Sequence, residues 1–216
     1  MSSTEFHTFG VYQDGRNNLA ERIRDAWIDM RLSTGRLLAE KPSEARLFFY
    51  VLMSDLIFFI SWSLKTVVSP TVVATTKLPT EIGLWLIVAL FCRSFALYFF
   101  SILLGSAARV MGGKGNWRET RVAVFWGALV AAPFGFLCAV ITIALASLEP
   151  VLPFLGADWI ALSPYWLSLV PFVWFISAGL AEVHGFRRTE TVFAGMAMIA
   201  MSVMFAALFF RAYGIY

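Results

Sequence analysis

Asp55 and Arg93 are the two ionisable residues set deepest inside the long apolar runs of this 216-residue chain. A charge in hydrocarbon costs on the order of 3 kcal/mol, so two chemistries are open to them. One is a charge pair that lowers the cost for both. The other is a proton or solute site at which the pair breaks and re-forms during a cycle. Pairing is the preferred reading, because their spans run antiparallel and both residues fall toward mid-bilayer. Other groups offer less. Glu182 and His184 stand two apart, which turns them to different helix faces, and they belong to no HExxH, triad or paired-carboxylate arrangement. The tract Gly112, Gly113, Lys114, Gly115 invites a phosphate loop, but that motif's first glycine would fall on Ala108 and Gly follows the lysine instead of Ser or Thr. It reads as a flexible basic turn. Met196, Met198, Met201 and Met204 read as adaptable packing. Cys92 and Cys138 form no CxxC pair and read as small apolar core residues. No catalytic residue, metal-ligand set or cofactor is expected, and the chain reads as non-enzymatic.

The elements that carry these residues follow from composition. The chain is 59% hydrophobic and only 14% charged, outside the range of soluble domains. A bilayer core needs about 20 helical residues to cross it. Spans are predicted at 47–68, 83–107, 122–148, 165–183 and 191–212, giving an all-α polytopic membrane protein with five transmembrane helices. Residues 1–46 form a head with seven basic and seven acidic side chains. They contain no apolar segment suited to a signal peptide, so the head is expected in the cytoplasm. Arg109, Lys114, Arg118 and Arg121 then lie between spans two and three, and Arg187 and Arg188 between spans four and five. The opposite connections carry Lys77 with Glu81, and Glu149 with Asp158. This bias puts the N-terminus inside and the C-terminus outside. The net charge of +3 thus reports orientation and contact with anionic lipid, not affinity for nucleic acid.

In the head, Leu19, Ile23, Ala26, Trp27, Met30, Leu37 and Leu38 recur at helical spacing and predict one amphipathic helix. Asn18 with Glu21 resembles a capping box, and Pro42 ends the helix. Docking on the inner ends of the chain's own spans is the preferred reading. Asn116 with Glu119 caps span three, and Ser163 with Pro164 opens span four. The stretch 149–162, with Trp159, is expected to dip into the outer interface. Lys65 and Arg211 stand near outer span ends, where long side chains snorkel. In span three, Ala123, Gly127, Ala131, Gly135 and Ala139 form a small-residue stripe for close helix packing. Its partner is expected to be span two or span five. Pro133 and Pro171 predict kinks.

A cytoplasmic head, five spans, the turn Gly-Gly-Lys-Gly-Asn-Trp-Arg-Glu-Thr at 112–120 and a small-residue span with Pro133 together resemble the Yip1 family, from about Leu37 onward. Eukaryotic members act in vesicle traffic and bind Rab-type GTPases. The Asp-Leu-Tyr-Gly-Pro tract of that branch is missing here, which argues against a GTPase partner and for the bacterial branch. The resemblance implies a non-enzymatic protein of the bacterial inner membrane that works through contacts with itself, with lipids or with other integral membrane proteins. A scaffold or membrane-organising subunit is the first reading. A small transporter or channel component using Asp55 and Arg93 is the second.

Overall fold

Backbone groups in hydrocarbon find no water to bond, so long apolar runs must close their hydrogen bonds internally as helices or closed barrels. The computed structural model of the chain describes residues 18–68, 79–157, 160 and 163–212, and these are helical with no strand among them. The elements are α1 (Leu19–Ile28), α2 (Met30–Ala39), α3 (Glu44–Val68), α4 (Pro79–Val110), α5 (Trp117–Leu148), a 3₁₀ turn (Pro153–Gly156), α6 (Ser163–His184) and α7 (Thr189–Ala212). Five of them, α3 to α7, are long and apolar enough to cross a membrane. Lys77, Asp158, Trp159 and the side chain of Arg211 lie outside the described residues.

Hydropathy alone placed the third span at 122, whereas α5 begins at Trp117 because its cap lies outside the apolar run. Asn116 Oδ1 accepts from the Glu119 amide and the Glu119 carboxylate accepts from the Asn116 amide, each at 2.9 Å. Ser163 is the first residue of α6, not its cap. Its hydroxyl donates back to the Ile160 carbonyl at 2.8 Å.

The head departs from the single helix expected. Asp29 has an extended backbone (φ −145°, ψ 96°); its amide closes α1 on Asp25, and its carboxylate opens α2 by accepting from the Leu32 amide. Asp competes well for such a cap, which is why a break is stable there. At the start of α1, Asn18 accepts from the Ala20 amide rather than completing a box with Glu21. Both short helices fold onto α5 and α6. Trp27 Nε1 donates to the Val130 carbonyl at 3.0 Å, and its ring meets Phe175 edge-on at 4.7 Å. Trp126 Nε1 donates to Ser33 Oγ, and Arg31 bonds the Glu182 carboxylate. Ala26, Met30 and Leu37 are buried beneath these contacts.

The core is the meeting of α5 with α6 and α3. Residues 122–131 of α5 are buried without a break. At Gly127 an added Cβ would stand 2.9 Å from Ile176 Cγ1 and 3.1 Å from the Ile176 amide nitrogen. At Gly179 it would stand 3.1 Å from Ala123 Cβ. The first half of the stripe therefore packs on α6, the fourth span, and not on span two or five. Further along, a Cβ on Gly135 would meet nothing within 4 Å. There the stripe hollows the bundle instead of closing it. Pro133 sits inside α5 and Pro171 inside α6. Pro133 removes the donor that the Leu129 carbonyl would use, and the next carbonyl, Val130, is the one that Trp27 bonds.

These two glycines of one stripe should respond oppositely. Gly127→Leu forces Ile176 aside and is expected to lose about 1–3 kcal/mol by overpacking, whereas Gly135→Ala stays within about 0.5 kcal/mol of the parent. Thermal unfolding in mild detergent reads the difference; equal midpoints for the two would refute the seam.

Candidate functional site

The start of α3 and the end of α4 both meet the start of α5. Arg121 bonds Glu44 at 2.8 Å, and Gly105 approaches Thr120 and Trp117. The two helices are therefore antiparallel, and Asp55 and Arg93 arrive at the same depth. Asp55 and Ser54 are fully buried. Asp55 Oδ1 accepts from Arg93 Nη1 and Oδ2 accepts from the Ser94 hydroxyl, so both carboxylate oxygens are engaged. Arg93 Nη1 also donates to Ser54 Oγ at 2.9 Å, and its guanidinium lies 5.1 Å from the Phe58 ring centre. Counter-charge, hydroxyls and a ring face together lower what the cation would cost alone in hydrocarbon.

A cavity of about 580 Å³ opens beside this pair, among α3, α5 and α6. Arg93 and Lys65 line it, with Ser54, Ser61, Ala131 and Gly135 among its walls, while Asp55 stays behind Arg93 and does not reach it. Ala128 and Ala139 of α5 also border it.

The glycine turn does different work. Gly112 has φ +87°, a conformation that favours glycine. A Cβ on Gly113 would stand 2.6 Å from His184 Nδ1 and 2.7 Å from the Ala108 carbonyl oxygen, and one on Gly115 would stand 2.8 Å from the Val183 carbonyl oxygen. The Lys114 amide donates to the His184 carbonyl at 3.2 Å. His184 Nε2 lies 3.0 Å from Thr120 Oγ1. Arg109 stacks 3.7 Å over Trp117 and donates to the Gly115 carbonyl. The turn expected to be flexible is a clasp, in which glycines admit the end of α6 between α4 and α5. The Yip1 domain profile matches residues 30–210. The chain belongs to the Yip1 family. The match takes in the clasp, the ion pair and the cavity. No curated protein and no solved structure gives a match to the chain.

In this Yip1-family protein, Glu182 bonds Arg31 of the head and His184 bonds Thr120, so the two serve separate contacts. Among the described residues no three His, Cys, Asp or Glu side chains gather as a metal site. Cys138 is buried, whereas Cys92 faces outward on α4, and both are free. Met196 accepts from the Ser177 hydroxyl at 3.2 Å, while Met198 and Met201 face outward. Of the bases expected to touch lipid, Arg118 donates to the Pro42 carbonyl and Arg121 pairs with Glu44.

Sequence reasoning missed Ser54, Ser94 and the placement of Lys65. The signal was present: Ser54-Asp55 and Arg93-Ser94 are adjacent pairs, and Ser61 and Lys65 follow Ser54 at seven and eleven residues, on one helix face.

Two outcomes follow for this site. Asp55→Ala leaves Arg93 buried without its counter-charge and should cost about 3–5 kcal/mol, while Asp55→Ala with Arg93→Ala should be less damaging than either single change. Thermal midpoints for the four proteins give the coupling, and additive losses would mean no pair. Separately, Gly113→Ala should lower the yield of folded protein on size-exclusion, because its neighbours include a backbone carbonyl that cannot move aside; a parental profile would rule out the clasp.

Proposed function

We propose that this Yip1-family membrane protein is a non-enzymatic membrane-organising subunit of the bacterial inner membrane. It acts through lateral contacts with copies of itself, with other integral membrane proteins and with lipids. The head lies in the cytoplasm and the C-terminus in the periplasm, a reading supported by the Lys and Arg bias of the connections. Neither nucleic acid nor a Rab-type GTPase belongs to this reading.

The observation that carries it is the unequal burial of the spans. The most apolar windows of α5 and α6 are 39% and 50% buried, whereas those of α4 and α7 are 17% and 11%. On α4, Phe91, Phe95 and Phe99 repeat every fourth residue, each more than 60% exposed, and form an aromatic ridge on the bundle's side. On α7, Met198, Val203 and Phe205 are also exposed. Aromatic and methionine side chains suit adaptable contacts within the membrane.

A second reading, a small transporter or channel component built on Asp55 and Arg93, draws support from the cavity beside Arg93. It requires water or solute to reach that cavity.

Extraction with native lipid, followed by a count of what stays bound, separates the two. A homo-oligomer or a stoichiometric membrane partner is expected, diminished when Phe91, Phe95 and Phe99 are all changed to Ala. A lone monomer would overturn the organising role and turn attention to solute flux in Asp55 and Arg93 variants.

A further inference from the structure

We infer that the tip of the head, with Trp27, Ile28 and Leu32, is a lipid-binding wedge that enters the cytoplasmic leaflet and contacts its acyl chains. The orientation proposed above decides only which leaflet is entered. Insertion itself is a property of each chain and does not depend on association.

The two head helices form an antiparallel hairpin. Arg22 pairs with Glu40 at 2.7 Å and Arg36 with Asp25 at 4.0 Å, so residues 22 and 40 mark its base and the break at Asp29 its tip. The base is tied to the charged ends of the spans: Glu40 also pairs with Arg46, and the Pro42 carbonyl accepts from Arg118. The tip reaches inward. Trp27 bonds the Val130 carbonyl, and its ring stands 5.8 Å from that of Phe134 and 4.7 Å from that of Phe175. Val130 lies nine residues beyond Arg121, the last charged residue before Glu149, and Phe175 lies seven residues from Glu182. At 1.5 Å per residue the indole is about 10–14 Å past the charged ends of both spans. The hydrocarbon of one leaflet is roughly 15 Å deep, half of the whole core. A second mark agrees: Ser54, beside Asp55, shares a cavity with Ala128 and Ala131, which bracket Val130. The indole therefore stands at the depth of the ion pair. Arg31, four residues on, turns the other way and bonds Glu182 and the carbonyls of Phe186 and Arg187. The backbone of the tip lies between these two levels, where headgroups give way to acyl chains.

Depth decides what covers the outer side of the tip. Ile28 is 80% exposed and Leu32 43%, and no element among the described residues lies over them. At this level the surrounding phase is lipid, which takes up apolar side chains that water would reject. The charges of the hairpin suit the same place. Arg22, Arg36 and Arg31 meet carboxylates, and the Asp29 carboxylate accepts from the Leu32 amide at 2.9 Å. Arg24, one turn before Ile28, keeps 74% of its side chain exposed and is long enough to return its charge to the headgroups. A Trp at the end of such a hairpin completes the pattern of an interfacial anchor, an apolar tip below and paired charges above.

The test uses the full chain in vesicles of phosphatidylcholine and phosphatidylglycerol, with the outward-facing Cys92 changed to Ala and the buried Cys138 retained. One nitroxide at a time is placed through Ile28→Cys at the tip or Ala39→Cys near the base. Both positions are exposed, so neither label displaces a packed side chain, and a parental size-exclusion profile certifies each labelled chain. Electron paramagnetic resonance then compares collisions with oxygen, which concentrates in hydrocarbon, and with a water-soluble nickel chelate. At position 28 oxygen is expected to exceed nickel, and at position 39 the order is expected to reverse. Trp27→Ala should shift the label at 28 toward nickel. A tip label that meets nickel more than oxygen, or a base label as immersed as the tip, would overturn the wedge. An unshifted label in the Trp27 variant would overturn its anchor. The association reading is scored by the number of chains, so a monomer with an immersed tip refutes that reading alone, and an oligomer with a wet tip refutes the wedge alone.

Discussion

The close approach of α5 and α6 is the constraint on which the bundle depends. In lipid no solvent drives apolar faces together, so helices hold by fit and dispersion, and fit improves as backbones come nearer. Gly127 against Ile176 and Gly179 against Ala123 set that distance from both sides. The rest is arranged around the seam they make. α3 lies along α5 through Tyr50 and Trp126, whose ring centres are 5.2 Å apart, and α4 through Tyr98 and Phe125, at 4.7 Å. The head helices cross the same two spans, and α7 leans on α6. Where the seam stops, past Ala131, the helices separate and the cavity begins.

The buried charges at the middle of the bundle follow a second rule, that they are engaged by neighbours close in space. The carboxylate of Asp55 is enclosed by Arg93 and Ser94. The bases at the clasp end meet carbonyls and carboxylates of the head and of α3. Together these contacts tie three successive parts of the chain, the head, α3 and the α4–α5 turn, into one polar layer over the apolar core. The layer is held by many modest bonds, and charge pairs exposed to solvent add little singly.

The spans were legible because lipid makes the sequence redundant: about 20 apolar residues in a row admit few other structures. Asp55 and Arg93 were legible for the same reason, as isolated charges in such runs. What the sequence left open were the partners. Small residues at every fourth position announce a close neighbour without saying which, and α6 became that neighbour only through the order in which the helices pack. The glycines at 113 and 115 looked like a loose loop because the residues that need their missing side chains, Val183 and His184, lie far along the chain. The break at Asp29 was hidden because the apolar spacing runs through it, and only the separate docking of two short helices on the spans makes a cap there better than another helical turn. Lipid-facing and protein-facing aromatics are alike in type, so α4 and α7 could not be ranked as outer helices beforehand.

The bond from Trp27 to the Val130 carbonyl also bears on how the protein is made. Its partners are 103 residues apart, and those of the bond from Arg31 to Glu182 are 151 apart. The head helices leave the ribosome before the five spans α3 to α7, but the surface they bind exists only after the fourth span has joined the third. Until then Trp27, Met30 and Leu37 remain uncovered, and exposed apolar side chains are what chaperones and proteases engage on unfinished chains. A docked head is therefore a signature that the third and fourth spans have met.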